Sequence, residues 1–494
     1  MSQGSRSVDA VSIAEGLAAL AAEDPDRPAV TCGRQTITRG GLEARTNRLA
    51  RAYLELGVTP DSFVTIGLPN GIEFIEATIA VWKAGATPQP VSDRLPAPER
   101  QAIIDLADPS LVVGIDTAEA GGRPSIPLGF EPDPKHGDAP LEPRFAKALK
   151  APTSGGSTGR PKLIVSGHRA TVPNVTINAG YTRMPNDGVH LATGPMYHNG
   201  PFIYAFAALF TGNHVVVMPR FDAEEALALV EQHRVDWMYL VPTMMQRIWR
   251  LPEASRLGHD LSSLRAVFHV AAPCPEWLKQ VWINWLGPSV ILELYGGTEG
   301  QVATFIDGTE WLSHRGSVGR PLSGEIQIRD LDGHRSASGE IGTVWIRQDE
   351  GTQKTYSYIG AEARQAGDGW ETLGDVGWMD TDGYLYLTDR DTDMILVGGS
   401  NVYPAEIEAV LTEHPAVADA CVIGLPDDDL GNIPHAIVAL SSPVDDAELD
   451  AYLRDRLVSY KRPRSFERVT GHLRDDAGKV RRPALRADRL PRPR

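Results

Sequence analysis

The spacing of apolar residues changes along the chain, and each spacing predicts a different element. Over residues 42–56 apolar side chains recur roughly every third or fourth position, which is typical of an amphipathic helix. The short apolar run FVTIGL, residues 63–68, then predicts a buried strand. The segment IEFIEATIAVWKAG returns to helical spacing, with Gly85 as its expected end.

The same alternation continues over residues 223–272. Helices are predicted at AEEALALVEQH and TMMQRIWRL, and strands at WMYLV and AVFHVAA. Strands that alternate with helices favour an α/β fold with largely parallel sheets.

After about residue 291 the pattern changes to short strands between Gly- and Asp-rich turns, such as EIQIRD, GTVWIRQ and GYLYLTD. These predict an antiparallel region that closes the large domain. From residue 393 the segments MILVGG, PAEIEAVLTEH, DACVIGL, HAIVAL and DAELDAYLRDRL predict a small α+β domain of about a hundred residues.

Composition narrows the class of protein. A chain of 494 residues is too long for one core, so two or three units are expected. Its 48 basic and 64 acidic residues give a formal charge of −16, which argues against nucleic acid as the main partner. Three widely spaced cysteines, no signal pattern and no apolar run of membrane-spanning length predict a cytoplasmic protein without a membrane span.

The stretch TSGGSTGRPKL, residues 153–163, has two interpretations. Its glycines and hydroxyl residues suit a flexible linker, but they also suit a loop whose N–H and O–H groups bind phosphate, with Lys162 as a cation. The P-loop pattern of ATPases is not met, because Arg160 and Pro161 occupy its Gly and Lys positions. Because linkers seldom end in Pro-Lys followed at once by an apolar strand, phosphate binding is favoured.

Three further segments carry candidate chemistry. In ELYGGTEG a strand runs into a Gly-Gly turn that presents Thr298 and Glu299, and a carboxylate beside a hydroxyl suits Mg²⁺. Asp375 could accept hydrogen bonds from both hydroxyls of a ribose, with Arg390 nearby at the domain junction. Lys479 follows a glycine in a loop-like segment. Each of these, taken alone, also fits an exposed turn acid or a solvated lysine.

Together and in this order, the four segments resemble the adenylate-forming superfamily of acyl-CoA synthetases, peptide-synthetase adenylation domains and luciferases. The segments MYHNGPF and GGSNVYPAEIE make the AMP-dependent acid–CoA ligases the nearest resemblance. It implies an α/β protein with a large N-terminal domain over residues 1–389, built of layered α/β subdomains and a distorted β-barrel-like region. A hinge at 390–392 and a small mobile α+β domain over 393–494, carrying the catalytic lysine, would follow.

The resemblance also implies roles for single residues. Lys479 would bridge the substrate carboxylate, the α-phosphate and the ribose, Thr298 would meet the α-phosphate, and Glu299 would ligate Mg²⁺. The remaining ATP-binding residues would be Thr153, Ser154, Gly155, Gly156, Ser157, Thr158, Gly159 and Lys162 for the phosphates, Ala271, Ala272, Pro273, Tyr295, Gly296 and Gly297 around the adenine, and Asp375 and Arg390 for the ribose.

The substrate side is implied in the same way. His198 would gate the pocket or touch the carboxylate, although a core-facing imidazole is equally consistent with it. The other pocket residues would be Asn199, Phe202, Met238, Val241 and Met244, which favour an apolar or aromatic acid. The acceptor-side loop would comprise Gly398, Gly399, Ser400 and Asn401. Thr392 stands at the hinge, where family members commonly carry Asp or Lys.

The implied activity is ATP- and Mg²⁺-dependent activation of a carboxylic acid as an acyl adenylate, with release of pyrophosphate and transfer to coenzyme A. The same activation could serve carrier-protein loading, amide formation, or activation of nitrite to diazotise an aryl amine. A non-catalytic nucleotide-binding homologue is the alternative from a different class, and the retention of Glu299 and Lys479 argues against it. A small-molecule acid or amine is the expected partner, and the chain would be a monomer or homodimer.

Overall fold

The computed structural model describes residues 11–155, 161–367, 369–471, 473–475 and 478–490. We number strands and helices in chain order. Up to residue 390 the strands are β1 (Pro28–Cys32), β2 (Gln35–Thr38), β3 (Phe63–Ile66), β4 (Thr87–Pro90), β5 (Leu111–Val113), β6 (Ser125–Ile126), β7 (Thr153–Gly155), β8 (Pro161–Ser166), β9 (Val189–Ala192), β10 (His214–Val217), β11 (Trp237–Leu240), β12 (Ala266–His269), β13 (Ile291–Gly296), β14 (Ala303–Asp307), β15 (Ser317–Pro321), β16 (Glu325–Arg329), β17 (Gly342–Arg347), β18 (Tyr356–Ile359), β19 (Arg364–Gln365), β20 (Glu371–Thr372), β21 (Asp375–Met379) and β22 (Leu385–Arg390).

The helices of this part are α1 (Ile13–Glu23), α2 (Arg39–Glu55), α3 (Ile72–Lys83), α4 (Ala97–Ala107), α5 (Val172–Thr176), α6 (Asn199–Phe210), α7 (Ala223–His233), α8 (Pro242–Trp249), α9 (Glu253–Leu257), α10 (Glu276–Leu286) and α11 (Gly308–Trp311). The rest of the chain adds β23 (Ile395–Val397), β24 (Ser400–Val402), α12 (Pro404–Glu413), β25 (Val417–Asp427), β26 (Gly431–Leu440), α13 (Asp446–Arg454), β27 (Ser465–Val469) and α14 (Arg482–Ala487).

Each of the six helices predicted from the sequence is present, as α2, α3, α7, α8, α12 and α13. α7 covers the predicted segment, and its sharp start has a local cause: the Asp222 side chain accepts a hydrogen bond from the Glu225 N–H. α2 begins three residues earlier than predicted, because the Thr38 hydroxyl caps it by accepting from Gly41 N–H. Within the described residues, none of the helices combines the length and apolar character needed to cross a membrane.

The largest sheet described contains fifteen strands and has a parallel centre. There β13, β12, β11, β9, β10 and β1 lie side by side in that order, all parallel. All four residues of β11 are buried, as expected for strands that helices cover on both faces. The prediction of α/β layers with parallel strands is therefore confirmed.

The antiparallel strands predicted after residue 291 extend this same sheet. β14 pairs antiparallel with β13, and β15, β22, β21 and β17 follow, each antiparallel to its neighbour. They bury a small apolar cluster around Val344, Ile346 and Leu385. The region was expected to be barrel-like. Among the described strands the sheet does not close on itself. β14 pairs with the edge of β13 and continues the sheet, whose two end strands are β19 and β2.

Two smaller sheets lie in the N-terminal part. The order β4-β3-β5-β6 is fully parallel, and its neighbour β18-β8-β7 is antiparallel. The latter sheet contains both strands that flank residues 156–160.

The described residues from 395 to 490 form a unit with its own buried apolar clusters, which we call the C-terminal unit. β23 to β27 make one sheet, on which α12 and α13 pack through Ile407, Leu411, Leu449 and Leu453, all fully buried. The predicted α+β arrangement of this part is the one observed.

Candidate active site

The segment at residues 153–163 forms the two arms of a hairpin. β7 and β8 pair antiparallel with Thr153 opposite Leu163, Ser154 opposite Lys162 and Gly155 opposite Pro161. The Thr153 hydroxyl also accepts a hydrogen bond of 3.0 Å from Gln89 Nε2. An extended linker is excluded for these arms, since both belong to a sheet. The predicted phosphate-contacting residues Gly156, Ser157, Thr158 and Gly159 lie outside the described residues.

Glu299 is the carboxylate on which this part of the site centres. It lies in the turn after β13, is only 7% exposed, and accepts a 2.5 Å hydrogen bond from the Tyr358 hydroxyl at Oε1. The Lys162 amine lies 3.8 Å from the same oxygen and 3.9 Å from the Tyr358 ring centroid. In the described part of the chain no hydrogen bond reaches Oε2, so this oxygen is free to ligate a metal ion. The donor set therefore fits Mg²⁺.

Lys150 is a second cation near Glu299, and the sequence analysis missed it. Its residue is 7% exposed, and no hydrogen-bond or ion-pair partner of its amine occurs among the described residues. Burial lowers the pKa of this amine to about 8, although the Glu299 carboxylate opposes the shift. No local sequence pattern marks Lys150, which lies outside any strand three residues before β7.

Tyr295, Asp375 and Arg390 meet at the junction of β13, β21 and β22. The Tyr295 hydroxyl donates a 2.6 Å hydrogen bond to Asp375 Oδ2, and Arg390 Nε lies 3.3 Å from Oδ1 of the same carboxylate. Register explains the second contact, because Asp375 and Arg390 are direct partners across the antiparallel pair. The two residues predicted for the ribose are thus neighbours.

The predicted adenine segment follows β12, next to the turn that follows β13. Because these strands are parallel neighbours, Ala271, Ala272 and Pro273 leave the sheet at the same edge as Gly296, Gly297 and Thr298. Ala271 has φ of 76°, a left-handed conformation that costs an alanine about 1 kcal/mol or more. Such strain in a loop at a carboxyl sheet edge is typical of ligand-binding segments.

Lys479 reaches this edge from the C-terminal unit. Gly478, the residue before it, packs so closely on α8 that an added Cβ would lie 3.0 Å from Thr243 Oγ1, and its φ is 76°. Lys479 is exposed, but the protein atoms around it lower the pKa of its amine. Arg390 adds to this effect, whereas Asp475 and Glu299 oppose it. The lysine therefore lies within electrostatic range of both Glu299 and Arg390.

His198 precedes α6, is half-buried, makes no capping hydrogen bond through its side chain, and lies within electrostatic range of Lys479. Desolvation first, and repulsion by Lys479 second, lower the pKa of the His198 imidazole to about 3. Its Nε2 and the Oδ1 of Asn199 are buried without a hydrogen-bond partner among the described residues. A neutral imidazole and an amide oxygen are thus available to a ligand.

The other predicted pocket residues lie in the hydrophobic core. Phe202, Met238, Val241 and Met244 are at most 2% exposed. Phe202 packs edge-on against Phe74 and Trp82, and the Met244 sulfur accepts a 3.4 Å hydrogen bond from the Thr193 hydroxyl. Their part in substrate binding stays a prediction.

The predicted acceptor loop is a tight hairpin between β23 and β24. Gly398 and Gly399 have φ of 53° and 86°, as a two-residue turn of this hand requires, and Val397 pairs with Ser400. Asn401 follows in β24 and is exposed. Thr392 lies in an exposed turn just after Arg390. The contacts described for this hairpin are with its own unit, such as Gly398 N–H to Leu430 O at 2.9 Å.

A buried ionic clamp fixes the segment that carries Lys479. Glu408 of α12 is 6% exposed and accepts hydrogen bonds from Arg474 (3.0 Å) and Arg482 (2.7 Å), which stand on either side of the lysine. Arg474 also donates to Gly478 O, and Arg482 to Asp393 just after the predicted hinge. Sequence reasoning missed this clamp, because its members are 66 and 74 positions apart in the chain.

The fold and the gathered groups define an adenylate-forming enzyme of the α/β class, and comparisons with known proteins agree. O-succinylbenzoate coenzyme A synthetase (MenE) from Bacillus subtilis, solved with ATP and a magnesium ion, matches at a TM-score of 0.80 and 26% identity over 95% of this chain and 98% of that chain. The amide bond synthetase McbA from Marinactinospora thermotolerans matches at a TM-score of 0.81 and 27% identity, over 97% and 100% of the two chains.

Sequence comparisons give the family. The model for AMP-binding enzymes matches residues 17–357, and that for the AMP-binding enzyme C-terminal domain matches residues 406–479. A methyl-dioxo-octahydro-indenyl propanoyl:CoA ligase from Mycobacterium tuberculosis is 32% identical over 94% of this chain and 96% of its own length. The chain belongs to the AMP-binding enzyme family.

Proposed function

We propose that this protein is an acid–CoA ligase that activates a carboxylic acid with ATP and Mg²⁺ and transfers the acyl group to coenzyme A. The observation that carries the proposal is the grouping of charges around the end of β13. Lys162 lies 3.8 Å from Glu299, which follows this strand, and Tyr295 within the strand binds the Asp375 carboxylate that Arg390 approaches to 3.3 Å. The charges of Glu299 and Arg390 also act on the Lys479 amine. The CoA-ligase names of its relatives support the acceptor.

The first half-reaction forms an acyl adenylate. A carboxylate oxygen attacks the α-phosphorus of ATP, a new P–O bond forms, and the bond to pyrophosphate breaks. Lys479 stabilises the charge that develops on the α-phosphate, and Lys162 with the hydroxyl-rich loop holds the departing phosphates. Asp375 and Arg390 hold the ribose and orient the nucleotide. Mg²⁺ bound at Glu299 would neutralise phosphate charge.

His198 and Asn199 face the acid in this proposal. Because the His198 pKa lies near 3, its imidazole is neutral at physiological pH and acts as a hydrogen-bond partner rather than as a cation. An apolar or aromatic acid suits the surrounding core residues.

In the second half-reaction the thiol of coenzyme A attacks the acyl carbonyl, and AMP leaves with the bonding electrons. We place the large domain at residues 1–389, the hinge at 390–392 and the mobile domain at 393–494. Rotation about Thr392 would withdraw Lys479 and bring the Gly398–Gly399 hairpin to the site.

A second candidate keeps the first half-reaction and changes the acceptor to an amine. The likeness to an amide bond synthetase over almost the whole of both chains favours it. The adenylating groups would be the same in both cases, so only the acceptor separates the two candidates.

A product assay tests both candidates. The purified chain is incubated with ATP, Mg²⁺ and a panel of acids, with coenzyme A and an amine supplied in separate arms, and products are identified by mass spectrometry. An acyl-CoA product supports the ligase, and an amide formed only with the amine supports the second candidate. Absence of AMP and pyrophosphate with every acid would contradict both.

A further inference from the structure

The helix α8 has two faces with different neighbours. Met244, Met245 and Ile248 point into the core and are at most 2% exposed. Thr243, Gln246 and Arg250 follow the spacing i, i+3 and i+7, which places them on one common face of a helix. That face contacts the C-terminal unit.

Each of these three positions contacts a different part of the C-terminal unit. Thr243 lies against Gly478, the neighbour of Lys479. Gln246 Nε2 donates a 3.2 Å hydrogen bond to Ala418 O. Arg250 donates to Thr412 O at 2.8 Å and to Pro415 O at 3.2 Å. The contacts run the length of the helix, so α8 forms a continuous docking surface.

The Arg250 contact uses the end of a helix. α12 ends at Glu413, so the Thr412 carbonyl is one of the last four and has no partner inside the helix. The helix dipole places partial negative charge there, and a guanidinium satisfies both needs at once. The acceptors are backbone carbonyls, so this contact depends on the position of the whole unit.

We propose that the Thr243–Gln246–Arg250 face of α8 is the docking surface that holds the C-terminal unit with Lys479 in the site, and that Arg250 is a positioning residue acting through Lys479. The inference rests on the proposed function in one respect: that Lys479 serves the first half-reaction. Rotation of the unit must break these hydrogen bonds, so they favour the first orientation over the second.

The expected consequence is a split between the half-reactions. Arg250→Met keeps the aliphatic stem and removes the donors, so the population with Lys479 docked falls. We expect acid-dependent exchange of pyrophosphate into ATP to drop about tenfold, as loss of charged hydrogen bonds implies. Thioester formation from chemically prepared acyl adenylate should stay equal or rise. Arg250→Lys should recover part of the exchange rate.

Arg256→Met is the matched control. It removes the same charge six residues further along, but the Arg256 guanidinium packs on Trp249, at 3.8 Å from the ring centroid, and donates to Trp249 O in the large domain. Both half-reactions should change together in this variant. Equal losses in both half-reactions of Arg250→Met, or none in either, would overturn the proposal.

A distance measurement tests docking without activity. Leu257 and Val458 are 57% and 54% exposed, and the substitutions Leu257→Cys and Val458→Cys provide two attachment sites for spin labels. Cys32 and Cys274 are changed to serine so that they are not labelled. Pulsed electron paramagnetic resonance should show one dominant distance between the two labels in the parent protein, and a broader distribution or a second distance in Arg250→Met. An unchanged distribution would overturn the docking role, even if no acid supports turnover and the proposed function fails.

Discussion

The Lys162 amine lies over the ring of Tyr358 and 3.8 Å from Glu299 Oε1, the oxygen that accepts the hydrogen bond of the Tyr358 hydroxyl. The lysine follows the hydroxyl-rich loop and the glutamate follows β13, so one ion pair joins two segments 137 residues apart in numbering. No described residue donates a hydrogen bond to the second carboxylate oxygen of Glu299. The pair thus couples the strand that follows the predicted phosphate-binding loop to a candidate metal ligand.

Replacing Glu299 should weaken the binding of Mg²⁺. Glu299→Gln keeps an oxygen for Tyr358 but loses the negative charge, so the Mg²⁺ concentration for half-maximal adenylation should rise about tenfold or more. Tyr358→Phe is the control, since the carboxylate remains. Pyrophosphate exchange measured over a Mg²⁺ series checks this. An unchanged series with Glu299→Gln would remove Glu299 from the metal site.

Lys479→Met should separate the two half-reactions. Without the cation at the α-phosphate, we expect pyrophosphate exchange to fall about a hundredfold or more, while thioester formation from added adenylate is kept. Lys461→Met is the control, because that lysine pairs with Glu406 on α12. If exchange survives in Lys479→Met, the lysine does not act on the α-phosphate.

Lys150→Met should stabilise the protein at neutral pH. The lysine pKa falls from its ordinary 10.5 to about 8 in the fold, so the unfolded chain binds more protons between these values and stability rises with pH there. Below pH 8 the buried charge costs up to about 3 kcal/mol.

Urea unfolding at pH 7 and pH 10 measures this effect. The gain from Lys150→Met should be largest at pH 7 and shrink towards pH 10. Lys147→Met is the control, because the Lys147 side chain is 83% exposed and pairs with Asp61 at the surface. A gain independent of pH would mean that packing, not charge, explains it.

Glu408→Gln should loosen the segment that carries Lys479. It removes the carboxylate that Arg474 and Arg482 share and leaves each guanidinium only one other anion, Asp419 and Asp393 respectively, so we expect a loss of about 1–3 kcal/mol. Both the unfolding free energy of the C-terminal unit and the exchange rate should fall. Glu406→Gln, on the exposed side of the same helix, should cost about 1 kcal/mol or less. Equal effects of the two variants would contradict a clamp.

Local signals account for what sequence predicted well. Alternating strands and helices, and capping side chains such as Asp222, depend on consecutive residues, so these elements could be predicted. The Gly398–Gly399 turn is equally local, but the sequence analysis predicted only a loop there. The proximity of Asp375 to Arg390 was implied only by resemblance, and strand register explains it.

Long-range contacts account for what was missed. Lys150, Arg250 and Glu408 acquire their surroundings only when distant segments fold together, and no spacing pattern marks them. Hydrophobicity alone likewise cannot separate a pocket wall from core, so the pocket role of Met244, which accepts a hydrogen bond from Thr193 within the hydrophobic core, stays a prediction. The way β14 to β22 extend the large sheet depends on pairing with the edge of β13, which is likewise a property of the assembled sheet.

The tie from Glu408 to both arginines has a kinetic meaning. It would make the segment that carries Lys479 move with α12 as one rigid body. Lys479 and the Gly398–Gly399 hairpin would then not occupy the site at the same time. Each turnover would then require one rotation of the C-terminal unit into the second orientation and one rotation back. If the C-terminal unit rotates as proposed, the turnover number would have an upper limit set by the rate of that rotation, however fast either chemical step becomes.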